Sequence, residues 1–118
     1  MKKEALVFIE HILENIEEIE RFSKGISKKV LFTDKQKQYA IIRAIEIIGE
    51  AVKNLPKEFT KKYPEVLWRE IVGTRDKLIH HYFGVDLEMI LKIIKKDLPK
   101  LKKQIKKIKE NENKSWIS

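Results

Sequence analysis

A chain of 118 residues with 26 Lys and Arg against 18 Asp and Glu carries a formal charge of +8, and its 42% hydrophobic share suffices for one core hiding roughly 65% of the unfolded surface. The absence of cysteine excludes disulfides and thiolate metal sites and suits a reducing compartment. No apolar run approaches the roughly 20 residues of a membrane helix, and Glu4, Glu10 and Glu14 argue against a signal peptide, so a soluble cytoplasmic protein is expected.

Few Gly and Pro among many Ile, Leu, Lys and Glu point to helices. The first is predicted over 3–23, where Leu6, Ile9, Leu13 and Ile16 recur at helical spacing, joined by Ile12, Ile19 and Phe22. Gly25 punctuates, and Ile26 to Phe32 read as a short link. Thr33-Asp34-Lys35-Gln36 reads as a capping box with Thr33 as the cap, opening a second helix that stops at Leu55 before Pro56. Its apolar arc is about 160° wide at 100° per residue, more than a surface helix shows. That helix is therefore central to a bundle or shared with a second subunit. Ala40, Ala44 and Ala51 form a small-residue seam, and Arg43, Glu46, Glu50 and Lys53 line the opposite stripe.

Pro64 suits the first turn of a short helix through Trp68 and Ile71 that ends near Gly73, with Thr74 capping the next segment. Asp86 is expected to cap a long final helix with an apolar face from Leu87 to Ile108, kinked or broken at Pro99. Residues 110–118 read as a polar, frayed tail in which Trp116 and Ile117 could dock onto a neighbour. The expected architecture is one all-α, up-and-down bundle of four to five helices over 1–109, without repeats or strands.

The charge is concentrated. Residues 92–109 hold nine lysines and one acid, Asp97; the remaining 17 basic residues (26 − 9) match the remaining 17 acids (18 − 1). Such a segment is either a polyanion-binding face, with Lys102, Lys103, Lys106 and Lys107 and also Lys77 as candidates for RNA, or a solvated helix face.

Chemistry concentrates in Arg75-Asp76-Lys77-Leu78-Ile79-His80-His81-Tyr82, an Arg-x4-His-x-Tyr run. Arginine grips phosphate through a charged fork, histidine moves protons near neutrality, and tyrosine offers a modifiable hydroxyl. An arginine in the first turn of a helix starting at 75 opposes the dipole unless an anion sits there. Asp76 and His80, four apart, share a face, so the carboxylate could orient the imidazole. Arg75 and His80 point about 140° apart on a straight helix, so a second subunit could supply the missing half. The plainer reading makes Arg75 a salt-bridge partner, His80 a core histidine and Tyr82 packing. His81 and His11 are bystanders, and adjacent histidines do not chelate one metal, so no metal or other cofactor is expected.

Several short signatures appear in order: Ile48-Gly49-Glu50-Ala51, Pro64 with Trp68 and Ile71, Gly73-Thr74-Arg75-Asp76, His80 with Tyr82, Val85-Asp86, and Asp97-Leu98-Pro99. Together, over roughly residues 5–108, they resemble the HepT-like branch of the HEPN superfamily. The resemblance implies a helical homodimer with two Arg–His sets in a shared cleft, and metal-independent RNA cleavage. It further implies a toxin role beside a minimal nucleotidyltransferase antitoxin. Arg75 and His80 would then be the catalytic pair, Asp76 the supporting polar residue, and Tyr82 the tyrosine that the antitoxin AMPylates. Thr74 stands where this family often has Met or Leu, and Asp76 where Asn is common. A competing expectation is a non-catalytic helical dimer that presents substrate or RNA to a nucleotidyltransferase; a third is a purely structural dimer.

Overall fold

The structure, a computed structural model, describes the backbone of residues 2–80 and 86–117 and the side chains of 3–79 and 86–114. Among the described residues seven α-helices follow in order: α1 Lys2–Ser23, α2 Lys28–Thr33, α3 Lys35–Asn54, α4 Lys57–Lys62, α5 Trp68–His80, α6 Leu87–Lys92 and α7 Leu98–Ile117, with a π-helical turn, Ile93–Asp97, joining the last two. The described residues form no strand, so the chain is all-α.

The helical periodicity of α1 buries Ile9, Ile12, Ile16 and Ile19 completely, each contributing on the order of 1.5–3 kcal/mol. Phe22, expected on that face, stays exposed. The wide apolar arc of α3 is covered within one chain, because α1, α2 and α5 all pack on it. Ile41, Ala44, Ile45, Ile48, Ala51 and Val52 are buried there, while Ala40 and Ile47 are half-buried. Arg43 and Glu46 pair at 3.4 Å on its exposed side.

Four boundaries differ from the sequence expectation. The link over 26–32 contains α2, capped by Ser27, whose hydroxyl accepts from the Val30 amide at 3.1 Å. The cap of α3 is Asp34, which accepts from the Lys37 amide; Thr33 ends α2, its hydroxyl donating to the Lys29 carbonyl. A short α4 follows Pro56 and sinks Phe59 against Tyr63. Pro64 lies in the turn before α5, which begins only at Trp68, after the Trp68 amide bonds the Val66 carbonyl and its indole N–H the Tyr63 carbonyl.

Asp86 caps α6 as expected, accepting from the Met89 amide at 3.1 Å. Pro99 marks the break: it has no N–H for the Lys95 carbonyl. The chain answers with the π turn immediately before it, where the Leu98 amide donates to the Ile93 carbonyl five residues back. The stretch read as a frayed tail continues α7 to Ile117. Within it Glu112 is buried, its carboxylate taking Lys62 Nζ at 2.8 Å and the Tyr63 hydroxyl, to which the Asn111 amide also donates at 2.8 Å. None of the described helices is long and apolar enough to cross a membrane.

Candidate active site on helix α5

Helix α5 runs unbroken through Gly73 and Thr74. Glycine costs a helix interior only about 1 kcal/mol relative to alanine, and packing on α3 outweighs it. The Thr74 hydroxyl folds back on the Glu70 carbonyl at 3.0 Å instead of capping a new helix. Arg75 therefore sits in the middle of α5, away from the free amides and the positive dipole end of its first turn.

What positions Arg75 is Gly49 of α3. A Cβ added to Gly49 would stand 2.2 Å from Arg75 Cβ, 2.7 Å from its Cγ and 3.4 Å from the Ile71 carbonyl oxygen. The two helices touch backbone to side-chain root at this point, and the arginine is threaded outward from a fixed stem. Its side chain is 21% exposed, and Nη1 donates to Asp76 Oδ1 at 3.0 Å. Nε is buried without a hydrogen-bond partner among the described residues. A donor in that condition costs about 1–3 kcal/mol, which an anionic acceptor would recover.

His80 is the last residue of α5, five positions beyond Arg75 on the same helix. The His80 side chain, and His81 and Tyr82 altogether, lie outside the described residues; the expected contact between Asp76 and His80 falls with them. Asp76 is engaged by Arg75. Lys77 is exposed on α5. Among the described residues no three His, Asp or Glu side chains gather as a metal-holding group.

Two clefts flank α7. One, of about 320 Å³, lies between α3, α5 and the π turn and reaches Thr74, the neighbour of Arg75. The other, of about 590 Å³, lies between α7 and the Lys62–Glu65 stretch; Gln104 lines both. Of the lysines singled out in the sequence, Lys103, Lys106 and Lys107 are exposed on α7. Lys102 instead donates to Glu20 of α1 at 2.7 Å, which raises its pKa, and Lys109 pairs with Glu10. Sequence reasoning missed the role of Glu112, although a signal existed: an acid continues the Leu101, Ile105, Ile108 register of buried positions.

The candidate site is thus a half-buried arginine on a helix that ends in histidine, within an all-α bundle. The family model described as "Ribonuclease HepT-like" matches residues 12–108, and the chain belongs to that family. Among its relatives, the "Probable ribonuclease HepT" of Thermococcus cleftensis is 46% identical over 93% of this chain and 100% of its own length. The "Putative RNase TTE0752" of Caldanaerobacter subterraneus subsp. tengcongensis is 50% identical over 89% of this chain and 94% of its own. A longer protein of Methanocaldococcus jannaschii, named "Gamma-glutamylcyclotransferase and putative RNase MJ0434", is 50% identical over 98% of this chain, which spans 52% of it. No solved structure gave a significant match.

Proposed function

We propose that the protein is a metal-independent endoribonuclease, the toxin of a toxin–antitoxin pair, working in a cleft shared across a homodimer. The observation that carries this reading is Arg75: its stem is fixed by Gly49, its guanidinium is partly exposed, and its Nε is unpartnered among the described residues. The guanidinium binds the scissile phosphate and the charge that develops on it. The ribose 2′-oxygen attacks phosphorus, the bond to the 5′-oxygen breaks, and a cyclic phosphate and a 5′-hydroxyl result. His80 either takes the 2′-hydroxyl proton or supplies one to the leaving oxygen, a role contributing about 10²–10⁴-fold. Because Arg75 and His80 diverge on one helix, a second copy completes the site.

Tyr82, two residues past His80, is the switch in this reading. A nucleotidyltransferase antitoxin attaches AMP to its hydroxyl, placing bulk and negative charge beside the phosphate site. One observation favours the second reading, a non-catalytic partner subunit of a nucleotidyltransferase: Asp76 already neutralises Arg75 at 3.0 Å.

RNA incubated with purified protein in EDTA separates the two, beside Arg75→Ala, His80→Ala and Asp76→Asn. Cleavage by wild type and Asp76→Asn, but not by the first two variants, is the expected result. Equal cleavage by all would mark a contaminant, and none by any would leave the binding subunit.

A further inference from the structure

The lysines of α7 form two sets by their partners, with Lys106, exposed and in no ion pair among the described residues, standing between them. Lys102 and Lys109 face α1 and are paired with Glu20 and Glu10. Lys100, Lys103, Lys107 and Lys114 lie on the outer side within an arc of about 60° at 100° per residue. All four are exposed and make no ion pair among the described residues. Glu110, which shares this outer side, joins none of them in an ion pair. The fold thus cancels part of the lysine charge internally and leaves four of the other lysines as a stripe about 21 Å long, at 1.5 Å per residue.

We infer that this stripe is a backbone track for single-stranded RNA, made by Lys100, Lys103, Lys107 and Lys114 and leading along α7 to the Arg75 site. Successive lysines stand about 5–10 Å apart along the axis, a spacing that suits a linear polyanion. Lysine acts as a point charge on phosphate without reading sequence. The groove beside the stripe gives the direction. The larger cleft is walled by Lys107 and Lys114, shares Gln104 with the smaller one, and the smaller, with Lys100 on its wall, ends at Thr74. A strand held on the stripe therefore passes toward the turn that carries Arg75. A lipid surface fits poorly, because the apolar side of α7 is buried in the core and, among the described residues, its outer side carries no apolar side chain to insert.

The track rests on the ribonuclease reading for the identity of its polyanion, so the test uses a probe that cannot be cut. Binding of a fluorescent 2′-O-methyl oligouridine is measured by anisotropy across a salt series. The wild type is compared with Lys103→Gln/Lys107→Gln and with Lys102→Gln/Lys109→Gln, two variants of identical net charge. The first pair is expected to lower the salt slope by about 1.4, at about 0.7 per lost contact on a single strand, and the second to change it little. Equal slopes for both pairs, changed or unchanged, overturn the track in favour of diffuse charge or a solvated face. Circular dichroism checks that both variants stay helical. Arg75→Ala, assayed in parallel, lowers the slope by about one at most. A track without RNA cleavage by the wild type would retire the ribonuclease reading alone, and cleavage without a slope difference would retire the track alone.

Discussion

Gly49 and Arg75 meet so closely that a methyl group on the glycine would lie 2.2 Å from the arginine's own Cβ. Both atoms are anchored to helix backbones, so no rotamer change relieves the overlap; α5 has to move away from α3. Replacing a helix-interior glycine by alanine ordinarily stabilises by about 0.5–1 kcal/mol. Here Gly49→Ala is expected to destabilise by about 1–3 kcal/mol, the usual range for overpacking, and to displace Arg75. Urea unfolding reads the first effect and RNA cleavage the second. A raised urea midpoint would contradict the close contact. Pairing Gly49→Ala with Arg75→Gly should recover part of the loss, seen as coupling in a double-mutant cycle.

The two candidate caps of α3 make a sharp contrast. Asp34→Ala removes the carboxylate that takes the Lys37 amide and should cost about 1 kcal/mol. Thr33→Ala removes only a hydroxyl bonded within α2 and should stay within about 0.5 kcal/mol of wild type. Denaturant midpoints decide between them, and the reverse order would restore Thr33 as the cap.

Burial, and then its bond to Glu112, push the Tyr63 phenol up from its ordinary value; the bond to Glu112 likewise raises Lys62. Both groups hold their protons more tightly when folded. Their contribution is therefore complete below about pH 10, where the unfolded groups titrate, and is lost as pH rises through the higher folded values. Thermal midpoints of wild type should fall more steeply above about pH 10 than those of Tyr63→Phe. Near neutrality Tyr63→Phe should itself cost about 1–3 kcal/mol, since the buried Glu112 carboxylate loses a donor. Parallel alkaline slopes for the two proteins would show that Tyr63 does not carry the effect.

Arg75→Ala should lower the cleavage rate by about 10²–10³-fold, the cost of losing one preorganised donor to a developing oxyanion. If each site takes Arg75 from one chain and His80 from the other, mixing Arg75→Ala with His80→Ala protein rebuilds one good site per mixed dimer. Activity should return to on the order of a quarter of wild type after subunit exchange. No recovery, with exchange confirmed by mass, would place both residues of a site in one chain.

Tyr82→Phe should abolish AMP attachment by a cognate nucleotidyltransferase while leaving cleavage intact, because only the hydroxyl oxygen is removed. Intact-mass measurement follows the adduct. An adduct persisting on the phenylalanine variant would move the modification to another residue.

Legibility in the sequence followed the range of the interactions. The extents of α1 and α3 and the Asp86 cap were readable because they depend on neighbours within four residues. The unbroken α5 was not, since Gly73 and Thr74 are stop signals locally and only packing on α3 overrides them. The ion pairs of Lys102 and Lys109 join residues roughly a hundred positions apart or a little less, so the charge run alone could not divide paired from free lysines. Glu112 shows the same limit: its register was visible, but its partners Lys62 and Tyr63 were not.

By itself, the order of residues determined an all-α chain, the face each long helix buries, and the side chains capable of phosphodiester chemistry, because periodicity, capping and functional groups are local properties. Only the tertiary structure decided where Arg75 stands: mid-helix, and held at its root by a glycine on another helix. That outcome depends on the distance between two backbones, a quantity set by how side chains from remote parts of the chain fill the space between them.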